Sequence, residues 1–290
     1  MKKLFSTNVI FIAMLSISQA QEVKVEVKEG WTKKGNISIL FNQSTFSNWL
    51  AGGENSISGN LGVNYDFNYN KNNWTWDNKL LASYGIVKTK NSAFEKKTDD
   101  RLEFNSLAGK KISGFWYYSA ILNFRTQIAK GYIYDVTNGV ETRIENTNFL
   151  SPAFLTVGPG LLWKKSDNLK FNLAPLTSKF VIVDKDFTLP DNAYFGVNEG
   201  ESLRYELGFY ASGYHKFNIM ENVSAENILN LYANYLEDPQ NVDLDYQLNV
   251  ILKINKYLST NVAFQTIYDD NAFKGFQVRQ VFGVGLNLGF

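Results

Sequence analysis

The chain has 290 residues, 29 basic against 28 acidic, with one histidine and no cysteine. The missing cysteine excludes disulfides, thiol catalysis and cysteine metal sites, and the balanced charge gives no reason to expect a nucleic-acid partner. Aromatic residues make up 15% of the chain, yet no window of eighteen apolar residues occurs, so helical membrane spans are excluded and the rings need another use.

Residues 1–20 read as an export signal. Lys2 and Lys3 form its charged start, Val9 to Ile17 a short apolar stretch, and Ser18-Gln19-Ala20 a small-x-small cleavage site. The mature chain is then expected to begin at Gln21 with 27 basic and 28 acidic residues. No cysteine follows the cleavage site, so a lipid anchor is not expected. Residues 21–34 are expected to form a short periplasmic segment, and residues 35–290 one β-barrel domain.

From residue 35 onward the dominant pattern has a period of two. Ile57, Gly59, Leu61, Val63, Tyr65, Phe67 and Tyr69 alternate with polar residues or glycine. The last run does the same through Phe282, Val284, Leu286, Leu288 and Phe290. Runs of ten or more residues exceed a typical globular strand but match a tilted strand that crosses a bilayer. The strands are predicted at 35–46, 56–69, 74–87, 100–111, 115–129, 152–163, 169–183, 202–217, 223–235, 241–255, 258–268 and 276–290. Pro159 and Pro175 fall inside the two least regular strands and predict bulges or bends.

The predicted connections alternate between short turns and longer loops. The longest loops are 130–151 and 184–201. Short turns at one rim and long loops at the other are the pattern of an outer-membrane barrel. Aromatic residues sort to the same two rims. Tyr69, Trp74, Trp76, Trp116, Trp163 and Phe290 fall beside the short turns, and Tyr84, Tyr235 and Tyr268 beside the long loops. Rings with a polar tip favour the membrane–water interface, so these residues are expected to form two girdles. The fold class is therefore all-β: a transmembrane antiparallel β-barrel of about twelve strands behind a cleaved signal peptide. A soluble β-sandwich would use the same rings as core, but its strands would be shorter.

The opposite parity is expected to line the lumen. It carries Asp77, Lys79, Arg101, Glu103, Arg125, Gln127, Arg204, Glu206, Glu226, Asp243, Asp245, Lys253 and Arg279. Charges inside a closed sheet are costly unless paired or wet. Pairs such as Arg125, Arg204 and Arg279 with Glu103, Glu206 and Asp243 either close the bore or leave a narrow wet path.

Four further features each have a functional and a plainer reading. His215 is the only histidine, so a Ser–His lipid hydrolase would have to use it; its parity is lipid-facing and it lies near the short turns, which favours an interfacial residue. Asp99-Asp100 and Asp269-Asp270-Asn271 offer oxygens for calcium, or are solvated loop acids. Trp49-Leu50-Ala51-Gly52-Gly53 is a recognition tip, a plug or a plain turn. Gly131-Tyr132-Ile133-Tyr134-Asp135 opens the longest loop, which is functional, folds inward as a constriction, or is mobile.

Trp49 to Gly53, Asp99-Asp100, Gln127 with Gly131-Tyr132, Ser151-Pro152, Pro175, Tyr268-Asp269-Asp270 and the terminal strand together resemble an outer-membrane barrel family of Gram-negative bacteria known only as a domain of unknown function. The resemblance implies the barrel and its location and brings no activity, cofactor or catalytic residue. Outer-membrane lipids are an expected partner. So is the barrel-assembly machinery, which would read Leu286, Leu288 and Phe290. No enzyme activity, cofactor or metal is expected. The leading functional expectation is a narrow pore or selective transport barrel for a small solute, the second a structural barrel that scaffolds a membrane protein partner, and the third a lipid hydrolase.

Overall fold

The structure, a computed structural model, describes residues 29–45, 54–189 and 193–290. The predicted signal segment, residues 21–28, Phe46 of the first predicted strand and Trp49 to Gly53 lie outside the described residues.

In chain order the strands are β1 (Gly30–Ser44), β2 (Ser56–Lys71), β3 (Trp74–Thr89), β4 (Lys96–Ser113), β5 (Trp116–Thr126), β6 (Gly131–Thr137), β7 (Val140–Thr147), β8 (Ala153–Ser166), β9 (Leu169–Ile182), β10 (Leu203–Met220), β11 (Val223–Asn234), β12 (Val242–Lys253), β13 (Leu258–Asp269) and β14 (Phe273–Gly289). Twelve of them close an antiparallel barrel in which each strand pairs with its sequence neighbours, with β5 next to β8; β6 and β7 form a separate two-stranded sheet. Closure is made by β1 against β14, from Asn36↔Gly289 to Leu40↔Gly285. Phe290 extends it: its N–H donates to Gly35 O (3.0 Å) and its carbonyl accepts from Gly35 N (2.8 Å). The Phe290 ring lies where a Cβ on Gly35 would be, so only glycine admits the ring at this seam. Closure removes both sheet edges, which a bilayer requires.

Two differences from the sequence reading change the architecture. β1 begins at Gly30, so residues 30–34 belong to the barrel and not to a periplasmic segment. Thr32 and Lys33 pair with Asn68 and Phe67 of β2; their polar character hid a strand that alternates poorly. The second difference is inside loop 130–151, where β6 and β7 form a hairpin. Its connection is Asn138-Gly139, both with positive φ (53° and 77°), the two-residue turn whose twist suits antiparallel strands. That dipeptide is the sequence signal that would have found the hairpin.

Pro175 sits at a bulge. Gly208 pairs with Thr177 and Tyr210 with Ala174, so β9 carries one residue more than β10. The inward set along β9 consequently switches from Asn172 and Ala174 to Thr177, Lys179 and Val181, all nearly inaccessible. The outward parity is apolar and open: Ile39, Phe41, Ile57, Leu61, Leu173, Val278, Phe282 and Leu286 are each 47% exposed or more. An apolar belt on this scale far exceeds what a water-soluble monomer presents and fits hydrocarbon. No helix among the described residues is long and apolar enough to cross a membrane; the strands do so.

Candidate functional site

Among the described residues, the bore is where the sheet brings charged groups together out of water. It is layered from the long-loop side to the short-turn side. The uppermost layer is apolar. Val197, from the loop between β9 and β10, is fully buried against Val181 and Val183, with Phe154, Tyr194 and Phe195 packed around them. Asp184 N donates to Ser151 Oγ (2.7 Å), Tyr194 OH to Asn146 O (2.5 Å) and the Arg204 guanidinium to Gly196 O (3.3 Å), which pins this loop down. Burial pushes the Tyr194 phenol up to about 12.

Beneath it lies a layer of three ion clusters, around Lys179, Arg279 and Arg101. Lys179 reaches Asp243 (2.8 Å) and Glu206 (3.3 Å); Arg204 reaches Glu206 (3.2 Å) and Glu237 (2.9 Å). Arg279 pairs with Asp99, and Arg125 with Asp245 (2.6 Å). Arg101 pairs with Glu103 and also donates to Gln247 (2.8 Å), while Gln265 donates to Asp245 (2.9 Å). Glu103 and Gln247 are each 1% exposed. Taking such ions from water costs several kcal/mol each, and only dense mutual hydrogen bonding offsets that cost. Below the network Ile121, Ala174, Tyr210 and Tyr232 pack with Leu107 across the bore.

The lower half is open. A cavity of about 1350 Å³ runs from the short-turn rim up to Ile121, Tyr210 and Ile228. Asp77 on its wall bridges Lys164 and Lys170 (2.7 Å each), and Glu226 holds Lys79 (2.8 Å) and the Tyr214 hydroxyl (2.7 Å).

The predicted lumen residues distribute over these layers. Arg101, Glu103, Arg125, Arg204, Glu206, Asp243, Asp245 and Arg279 stand in the upper network, joined there by Asp99, an expected loop acid; Asp77 and Lys79 line the cavity, and Glu226 is buried behind Lys79. The pairing differs from the one expected: Arg125 meets Asp245, Arg279 meets Asp99, and Asp243 meets Lys179. Gln127 is a correction. It lies past the end of β5, and its amide donates to Asn148 O (2.8 Å) and Ser151 O (2.7 Å), tying down the base of the hairpin instead of lining the bore. Lys253 is exposed at the short-turn end of β12. Lys164, Lys170, Lys179, Asp66 and Tyr214 were missed. The β9 bulge hides Lys179 from a simple parity count, and tyrosine facing inward defeats a rule that sends rings to the lipid.

The predicted girdle residues stand on the outer surface. Trp116 is paired with Trp163 across β5 and β8. Trp76 (43% exposed) and Tyr69 both stack near Trp31, with ring centroids 5.7 and 5.3 Å away. Trp74 is 53% exposed at the turn after β2, and Phe290 lies 5.7 Å from Tyr65. At the other rim Tyr84 is 38% exposed, Tyr235 donates to Pro175 O (3.0 Å), and Tyr268 packs on Phe276 (5.3 Å).

The loop acids are held in hydrogen bonds and ion pairs. Asp99 and Asp269 are buried. Asp100 accepts from Ile128 N (2.6 Å), Ala129 N (3.0 Å) and Lys97 Nζ (2.7 Å). Oxygens of Asp243, Asp269 and Asp270 lie within 4.8 Å of one another. Lys179 occupies the first, the backbone N–H groups of Asn271 and Ala272 the second, and the Asn241 amide the third. This arrangement caps a turn. His215 is exposed on the outer surface with its ring stacked 4.7 Å from Phe217, and no acid pairs with it among the described residues.

Residues 41–132 match the family model described as "Protein of unknown function (DUF3078)". No curated protein matches the chain. Among solved structures, the translocator domain of the autotransporter NalP from Neisseria meningitidis is 10% identical, with 92% of this chain and 90% of that one covered and a TM-score of 0.42. The COG4313 outer membrane channel from Pseudomonas putida F1 is 9% identical (91% and 96% covered, TM-score 0.38), and the β domain of the Bordetella autotransporter Brka is also 9% identical (90% and 100%, TM-score 0.34). Similarity this distant carries no role across. The chain is an outer-membrane-type β-barrel of twelve strands, similar over residues 41–132 to the DUF3078 family of unknown function.

Proposed function

We propose that this protein resides in the outer membrane as a closed, non-enzymatic barrel whose working surface is the vestibule on its short-turn side, which faces the periplasm. One observation carries the reading: the upper half of the bore is filled by the apolar layer around Val197 and the ion network around Glu103 and Gln247, whereas the lower half is an open cavity of about 1350 Å³. A barrel of this size lies between those packed solid with side chains and those with open channels, and this one is half of each. The role that fits is an accessory barrel that presents a fixed vestibule to a periplasmic ligand or membrane partner. Lipids contact the apolar belt, and the assembly machinery reads the strand ending at Phe290.

A second reading, selective uptake of a small solute, is favoured by the depth of the vestibule, which needs only the upper layers to move for a path to open. Liposome swelling separates the two. The closed reading expects no swelling with sugars or amino acids for the unmodified protein; flux that depends on solute size would establish transport instead.

A further inference from the structure

The vestibule has a chemistry of its own. Its wall carries nine lysines against four acids. Asp66, Asp77 and Asp167 are engaged by Lys79, Lys164 and Lys170. Lys33, Lys34, Lys71, Lys111 and Lys165, toward the mouth, have no ion-pair partner among the described residues. A concave low-dielectric wall with a surplus of one sign concentrates the potential and draws in the opposite charge.

Deeper in the same cavity is an unmet donor. Asn172 is 1% exposed; its Oδ1 accepts from Ser119 Oγ at 2.5 Å, and its Nδ2 has no partner. A buried amide N–H without an acceptor is costly, so a ligand oxygen placed against it relieves that penalty. Nearby, the Lys170 ammonium sits 5.1 Å over the Tyr214 ring, which fixes both groups. The floor is different again: Leu107, Ile121, Tyr210 and Ile228 offer apolar surface under this polar wall.

We propose that the vestibule binds a small amphipathic organic anion, its carboxylate or phosphate held by Lys170 and the Asn172 amide and its apolar body lying on the Ile121–Tyr210 floor. This deepens the closed-barrel reading by naming the ligand class of its vestibule. The surplus lysines at the mouth steer the anion inward, and the aromatic floor selects against inorganic ions.

The test is calorimetric titration of the full chain in phosphatidylcholine nanodiscs with naphthalene-2-carboxylate, its neutral carboxamide and inorganic phosphate, with empty nanodiscs to subtract partition into lipid. The carboxylate is expected to bind, to weaken as salt is raised, and to bind at least about tenfold more tightly than either comparison compound. Asn172→Leu, which keeps the side-chain volume, should weaken it about tenfold. The Lys34→Gln/Lys111→Gln/Lys165→Gln variant, altered only at unpaired mouth residues, should slow association and flatten the salt dependence. No binding above empty nanodiscs overturns the proposal. So does equal binding of the carboxamide or of phosphate, or full affinity in Asn172→Leu. Swelling of liposomes by the unmodified protein would sink the closed reading and leave this assignment standing; absence of binding in a non-conducting barrel would sink this assignment alone.

Discussion

The upper and lower halves of the bore are built from the same residue types and end in opposite states. Above Tyr210, the buried charges have partners, and some of these link into chains: Arg101 joins Glu103 to Gln247, and Gln247 donates to Asp245, which holds Arg125. Below it, lysines outnumber acids and the space stays open. Nearly balanced opposite charges let the side chains collapse onto each other, since attraction in a low-dielectric interior offsets desolvation only when charges are partnered. A surplus of one sign cannot collapse that way, so the wall stays apart and hydrated. Whether such a barrel is closed or hollow at a given depth is thus set by local charge balance as much as by strand number.

The largest effect that would break this comparison is expected at the network centre. Glu103→Leu strands the Arg101 guanidinium and should destabilise the barrel by about 3–5 kcal/mol, read from urea unfolding in lipid vesicles. The double variant Arg101→Met/Glu103→Leu should recover most of that loss, because a well-packed apolar pair removes the desolvation cost with the attraction. Next is the apolar layer. Val197→Ala should weaken closure of the loop by about 2 kcal/mol, seen as faster hydrogen exchange across 184–201 with strand protection unchanged. At the seam, Phe290→Ala loses the stack on Tyr65 and should cost about 1 kcal/mol in refolding, with a larger fall in assembly in cells.

The smallest effect lies outside the membrane, in the β6–β7 hairpin. Hydrogen bonds from Lys96, then Ser92, hold the Glu141 carboxyl down to about 2. A carboxyl depressed on docking contributes stability that is fully present above its undocked range near 4.5 and is lost as pH falls through about 2. Proteolysis at Asn138-Gly139 should therefore quicken between pH 4.5 and 2 for the native chain. Glu141→Gln should remove that dependence.

How much of this was legible in the sequence follows from which constraint acts where. Strands such as β2 and β14 face lipid on one side, so their alternation is strict and their spans were readable. β1 was read five residues short because its first turn of residues, Trp31 to Lys34, is flanked by interface and not by hydrocarbon. The wall charges on straight strands, Glu103, Glu226 and Asp245 among them, were visible by parity. Lys179 was not, since the bulge at Pro175 shifts parity by one. Partner choice was not readable either: Arg279 meets Asp99 across a distance of 180 in sequence, which depends on barrel shear and not on any local pattern. The division of the bore into a filled and an open half has the same origin, because it depends on which inward residues share a level.

The most direct test of that division uses the absence of cysteine, since any introduced thiol is then the only one. Ser212, on the vestibule wall, is replaced by cysteine, and a membrane-impermeant anionic methanethiosulfonate, of the charge that the lysine-rich wall draws in, is applied from one side at a time to oriented proteoliposomes. A bore closed above and open below predicts rapid labelling from the short-turn side and none from the long-loop side. Comparable labelling from both sides would contradict it.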